Sequence, residues 1–284
     1  RVQELIELTK KYNPEIIITT TIFSNSINIL YEMFPIIYLS LGGINQNNNF
    51  DLFLLPHIKD LVKMMPEFNL RYDPIKMISF DYGGNFEKSL IVANRKEYGI
   101  GEHEFLIITV GVRLKVDLFQ EYVDIVVNFL RKNKDVKWLI VGEEDIPTID
   151  LKYKEIANTQ IRKIKYIENL GEVYRACNLY LNPPRIGGGF SMAEAVVNDL
   201  CVLTTAASPA GALHCGRENG VGNLQEYAKE LERLYNDKNY RYEKLKKEQA
   251  VQESLSYKNL IPKLMEHIET AKKIYFERKG MNNE

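Results

Sequence analysis

The stretch Asn178 to Thr204, NLYLNPPRIGGGFSMAEAVVNDLCVLT, decides how this chain folds. It reads as a short strand at Leu179–Leu181, a break at Pro183-Pro184, a glycine triplet at 187–189, a helix from about Phe190 and a second strand from Cys201 to Leu203. Consecutive glycines let the backbone turn sharply and let a ligand approach its amides. The helix that follows turns its first free N–H groups, and the positive end of its dipole, toward the same point. Gly188, Gly189, Phe190 and Ser191 therefore form a backbone anion site suited to phosphate or diphosphate. Glu194 falls one helical turn after Ser191, where a carboxylate can accept hydrogen bonds from sugar or ribose hydroxyls or stand as an ordinary solvated residue. Ser191 itself suits either helix stabilisation or ligand contact. Arg185 can reach a phosphate or a sugar, or pair with a carboxylate.

Upstream, a repeating strand-loop-helix pattern leads into this stretch. Phe105–Val110 reads as a strand, 111–115 as a turn, Leu118–Leu130 as an amphipathic helix, Trp138–Val141 and Lys163–Ile167 as strands and Leu170–Ala176 as a short helix. That succession predicts a doubly wound parallel sheet, with ligands beyond the carboxyl ends of its strands. Arg113 and Lys115 fall in the loop after the first strand, on that rim. They suit a diphosphate, Arg113 as a fork and Lys115 as a point charge, or are solvated loop cations. Tyr166 and Ile167, at another strand end, are candidates to border a base.

Residues 1 to 98 repeat the alternation on a smaller scale. Strands are expected at Glu15–Thr19, Pro35–Leu41, Phe50–Leu55 and Ile75–Phe80, apolar on both faces and separated by helices, the mark of a parallel sheet. The second empties into Gly42, Gly43 and Asn45, which read as one wall of a cleft or as a solvated turn. Asp51 and Asp81 are the acids nearest such loops, and they are the candidates for a catalytic base, whose identity the sequence leaves open. A charged segment, Asn94 to Glu104, reads as a short helix with a glycine stop. The expected domains are 1–98, 99–258 and a closing helix, 259–284, after further charged helices.

Composition narrows the function. A chain of 284 residues, 45% hydrophobic and 26% charged, suits two α/β domains of ordinary size. A formal net charge of -1 with no long basic run argues against a nucleic-acid partner. No apolar run reaches the roughly 18 residues of a membrane span. Three cysteines and four histidines show no metal-ligand spacing, so no metal and a reducing, cytoplasmic setting are expected, with a peripheral seat at the inner face of a membrane left open. A start at Arg1 rather than Met suggests that earlier residues are missing.

Three places resemble nucleotide-sugar glycosyltransferases of the GT-B fold. Arg95-Lys96-Glu97-Tyr98-Gly99-Ile100 followed by Glu104 to Gly111 resembles their interdomain linker and first donor-domain strand. Gly111-Val112-Arg113-Leu114-Lys115 stands where such enzymes place basic residues on the donor diphosphate. Asn182 to Ser191, with Glu194, resembles their donor loop and ribose-binding carboxylate, with Arg185, Gly187, Gly188, Gly189 and Phe190 along the diphosphate and sugar. The resemblance implies two Rossmann-like domains, the first one partial, and transfer of a sugar from a nucleoside diphosphate sugar, a UDP-sugar above all, to an acceptor hydroxyl on a glycan, lipid or protein. It implies no cofactor beyond that donor. Two features depart from the pattern. Retaining members carry Glu eight positions before the residue matching Glu194, and here that position is Ile186. The inverting protein-glycosylating branch places a histidine in the loop after Leu-Gly, and here Asn47, Asn48 and Asn49 follow. These departures keep two alternatives in view, a non-catalytic subunit or binding module that partners an active transferase, and a nucleotide-sugar epimerase of the same fold; a protein partner subunit or a homo-oligomer is left open.

Overall fold

The four strands expected before residue 82 form, and all pair in parallel. They are β1 (Ile17–Thr19), β2 (Ile36–Leu39), β3 (Leu52–Leu55) and β4 (Met77–Ser79), in that order across the sheet. The computed structural model describes residues 2–20, 25–40, 49–56, 76–185 and 187–281. Alternation along β2 and β3 explains the layers on this sheet. Ile36, Tyr38, Phe53 and Leu55 face Leu30 and Leu5 of the helices Asn25–Tyr31 and Val2–Tyr12, while Ile37, Leu52 and Leu54 face Ala271, Leu264 and Ile268 of the helix Tyr257–Arg278. Each such side chain fully buried stabilises the fold by roughly 1.5–3 kcal/mol before entropy is counted. Gly42, Gly43 and Asn45 lie outside the described residues.

The chain divides into two units, Arg1–Tyr82 with Lys258–Glu284, and Gly83–Tyr257. The division thus falls earlier than the expected 98/99, and the closing helix belongs with the first unit. Hydrogen bonds explain the first difference. Ser89 donates its N–H to Asn198 Oδ1 at 2.8 Å, Ala93 donates to the Glu172 carbonyl at 3.0 Å, and Arg95 donates to the Ala176 carbonyl and to Asn178 Oδ1. The expected short helix is a 3-10 turn at Arg95–Tyr98, stopped by Gly99 in the left-handed region (φ 68°).

The second unit is a five-stranded parallel sheet: β5 (Phe105–Val110), β6 (Val136–Val141), β7 (Ile161–Ile164), β8 (Leu179–Leu181) and β9 (Val202–Leu203). Its spatial order is β7-β6-β5-β8-β9. Chain order therefore reverses direction between β5 and β8, and the crevice outside their carboxyl ends is the switch point where such sheets bind ligands. Helix Gln120–Lys132 packs on Leu224–Asn236, and helix Gly189–Val197 packs on Leu170–Ala176 and Lys238–Ser254. In the core of this sheet Trp138 Nε1 donates to Thr109 Oγ1, which donates to the Leu181 carbonyl. A buried ion pair, Lys244 Nζ to Glu248 Oε1 at 3.1 Å, sits where Glu248 also accepts the Val202 N–H, tying helix Lys238–Ser254 to β9. No described helix is long and apolar enough to cross a membrane.

Candidate functional site

Two loops meet at the switch point, one after β5 and one after β8. The first runs through Gly111, Val112 and Arg113 into the short helix Leu114–Asp117. The second runs through Asn182 to the glycines that open helix Gly189–Val197. Gly188 takes φ 87°, a left-handed conformation costly for any residue with a β-carbon, and it offers no side chain to cap the helix. Helix geometry leaves the N–H groups of Gly189, Phe190 and Ser191 without acceptors inside the helix. Arg113 stands beside this turn. Its Nη2 lies 4.0 Å from where a β-carbon on Gly187 would be, and its side chain is 65% exposed.

Lys115 turns the other way. Its ammonium pairs with Asp145 at 3.0 Å and with Glu143 at 3.8 Å, in the loop after β6. The Asp145 carboxylate and then Glu143 hold its pKa above the ordinary lysine value. Of the two cations read as diphosphate candidates, Arg113 stands at the glycine loop, and Lys115 is matched by acids in the loop after β6.

Arg185 takes the second of its two sequence readings and pairs with a carboxylate. Rather than facing a ligand it is buried beneath the loop, its side chain only 3% exposed. Nε donates to Asn182 Oδ1 at 2.8 Å, Nη1 to Asp117 Oδ2 at 3.3 Å, and Nη2 to the Val110 carbonyl at 2.8 Å. Ser191 is occupied as well: its hydroxyl donates to the Gly188 carbonyl and lies 3.0 Å from Tyr180 Oη. Phe190 is half-exposed, with Phe86 and His214 edge-on at 5.8 Å each.

Glu194 is half-buried on the same helix. No hydrogen bond or ion pair of its carboxylate is present among the described residues, and burial raises its pKa above the ordinary carboxylate value. A desolvated, unpaired acceptor on the helix that the glycine turn opens suits a hydroxyl-bearing ligand. Tyr166 and Ile167 follow β7, with Tyr166 76% exposed and Ile167 packed on the core.

The acids of the first unit separate clearly. Asp51 precedes β3, at the amino edge of its parallel sheet, away from the rim where ligands bind. It is fully buried and accepts from the Ile36 N–H at 2.8 Å and from Arg278 Nε at 3.0 Å, so it is a structural anchor and not a free base. Asp81 follows β4 at the carboxyl edge and is exposed.

Three residues of the site escaped the sequence reading. Asp117 could have been found from its spacing four residues after Arg113, within reach on one helix face. Tyr180 read only as a strand residue, yet its hydroxyl joins Ser191, Val110 and Arg185. His214 gave no signal. It lies 25 residues beyond Gly189, in a π-turn at Ala212–Gly216, and its ring would touch a β-carbon at Gly189 at 2.6 Å.

Residues 104–237 match the family profile described as "Glycosyl transferases group 1". No curated protein sequence matches the chain. Among solved structures it is similar to WaaG, a glycosyltransferase involved in lipopolysaccharide biosynthesis, at 14% identity and TM-score 0.65, covering 93% of this chain and 80% of that one. It is similar to a glycosyltransferase from Rickettsia africae at 16% identity and TM-score 0.68, covering 97% and 80%. It is also similar to the pneumococcal O-GlcNAc transferase GtfA, crystallised with UDP and GlcNAc, at 13% identity and TM-score 0.64, covering 94% of this chain but 59% of that one. The fold is GT-B, the resemblance read from the three sequence segments holds, and the family match supports glycosyl transfer in general.

Proposed function

We propose that this chain transfers a sugar from a uridine diphosphate sugar to an acceptor hydroxyl, with the donor diphosphate at the glycine loop of the second unit. The observation that carries this reading is the position of Arg113 beside a left-handed glycine turn whose helix start presents open amides. When the bond between the anomeric carbon and the diphosphate oxygen breaks, the electron pair stays on the diphosphate. Amides and a guanidinium already in place stabilise that charge without reorganising. Losing one good donor of this kind costs about 3 kcal/mol of barrier, roughly a hundredfold in rate. The Glu194 carboxylate accepts hydrogen bonds from the ribose hydroxyls. Helix terminus and arginine meet the negative charge in this scheme without a metal.

Uridine is favoured because GtfA, similar in fold, was crystallised with UDP. A thermal-shift series with UDP, UDP-sugars and other nucleotides tests donor binding. A ligand at a hundredfold excess over its Kd stabilises by about 2.7 kcal/mol, an easily measured rise in Tm. If no nucleotide at millimolar concentration raises the Tm, the reading is rejected.

A second reading, a donor-binding subunit without transferase activity, draws on one observation: the arginine next to position 186 is buried in the framework, and no acid of the glycine loop faces the donor. Slow release of UDP from a UDP-sugar in water separates the two, since a binding subunit releases none.

A further inference from the structure

The guanidinium of Arg185 lies against two glycines, one from each loop of the switch point. A β-carbon on Gly111 would stand 2.4 Å from Nη1, and the α-carbon of Gly188 presents its bare face to Nη2. The head group thus fills space that two missing side chains leave. Its hydrogen bonds run to the end of β5 (Val110), to the helix after it (Asp117) and to the end of β8 (Asn182). Its own carbonyl accepts from the buried Ser208 hydroxyl at 2.8 Å, so the backbone at 185 is fixed from a further direction. Asp117 is shared. Oδ2 faces Arg185 at 3.3 Å and Oδ1 faces Arg113 at 3.6 Å, so two guanidiniums meet one carboxylate and the trio carries a net positive charge.

We infer that Arg185 is a positioning residue for the donor site: without touching the ligand, it holds the glycine loop with its amides toward the mouth, and it makes that loop prefer a nucleoside diphosphate over a monophosphate. The preference rests on the donor-binding reading above. The loop-holding role rests only on the geometry. A planar fork with fixed donor directions joins three backbone segments in a way that a lysine's single ammonium cannot. A diphosphate offers more acceptor oxygens to the oriented loop amides than a monophosphate does, so it gains more from a loop held in place.

The test uses the whole chain in two variants. Arg185→Lys keeps the charge and removes the fork. The double variant Arg185→Met/Asp117→Asn removes the fork and leaves the net charge of the trio unchanged, without stranding a buried carboxylate. Hydrogen exchange of the ligand-free proteins is read at 192–194, the first amides after the loop with acceptors inside the helix (Met192 donates to the Gly188 carbonyl at 3.2 Å), and, as a control, at 106–110. In both variants these loop-end amides are expected to exchange on the order of tenfold faster, with the strand amides unchanged. Unchanged loop exchange overturns the inference. Calorimetric titration with UDP, UMP and uridine gives the second readout. UDP affinity is expected to fall on the order of tenfold or more in both variants, UMP less, and uridine not at all. Equal losses for all three ligands, or none, with a wild type that binds UDP, overturn the preference while the donor reading stands. A wild type that ignores UDP while its variants show faster loop exchange rejects the donor reading and the preference together, and leaves Arg185 as the loop's support.

Discussion

A β-carbon at Gly188 would stand 2.3 Å from Nη2 of Arg185, so the loop's turn and the buried arginine exclude any larger residue there. Position 188 also has φ 87°, where an L-residue is strained by about 1–2 kcal/mol from the backbone alone. Gly188→Ala is therefore expected to lower stability by more than that figure and to abolish measurable UDP binding. Gly187→Ala is the contrast, because among the described residues its β-carbon would meet only Arg113 Nη2, at 4.0 Å. Its stability should stay within about 0.5 kcal/mol of wild type. Chemical denaturation of the pair checks both, and equal losses would refute the geometry.

Asp117 is the buried counterion of Arg185. Asp117→Ala leaves that guanidinium without its carboxylate, and breaking one side of a buried pair costs about 3–5 kcal/mol. Urea denaturation should show a loss of that order. A change below 1 kcal/mol would mean that the backbone and Asn182 acceptors alone satisfy Arg185.

Arg113 and Lys115 are two residues apart and are expected to behave differently. Arg113 is exposed at the glycine loop, so Arg113→Ala should leave stability nearly unchanged and weaken UDP binding about tenfold, with a shallower salt dependence. Lys115 already faces Asp145 and Glu143, and Lys115→Ala should change UDP affinity by no more than about twofold. Titration at two ionic strengths distinguishes them; a larger effect for Lys115 would reverse the assignment.

Glu194 predicts a pH dependence. Burial holds its carboxyl above the ordinary value of 4.5, so the folded state takes up a proton there more readily than the unfolded chain. Its contribution to stability is therefore most favourable at low pH and is lost as pH rises through the raised folded value. Relative to Glu194→Gln, wild type should lose melting temperature as pH rises from the ordinary value of 4.5 through the raised folded value. UDP should partly restore it above that value, where the ionised carboxylate accepts hydrogen bonds from the ribose hydroxyls. A difference that stays flat with pH would count against a desolvated Glu194.

Much of the architecture was legible from residue patterns. Phe105–Val110, Leu170–Ala176 and Leu179–Leu181 form over the residues expected, because runs of buried β-branched and aromatic side chains, or an amphipathic turn, leave few alternatives over so short a span. Gly99 stops its turn in the left-handed region, as a glycine after a charged helical segment should. Position along the chain gave no guide to side-chain direction. Lys115 and Arg185 flank the right loops, so each read either as a diphosphate contact or as a cation with another fate; one found acids after β6 and the other found Asp117 and Asn182 beneath the loop. Asp51 read as a cleft acid from its place beside a strand, but lies at the amino edge and is held by Arg278, 227 residues away.

The amino-acid sequence by itself determined the two parallel sheets, the glycine turn at 187–189 and the helix that starts there, since strand and helix periods and glycine's freedom act over a few neighbouring residues. The tertiary structure alone decided which charges face solvent and which are neutralised. That depends on distant partners, and burial turns a cation into a ligand contact or a framework strut according to whether a buried carboxylate lies within reach.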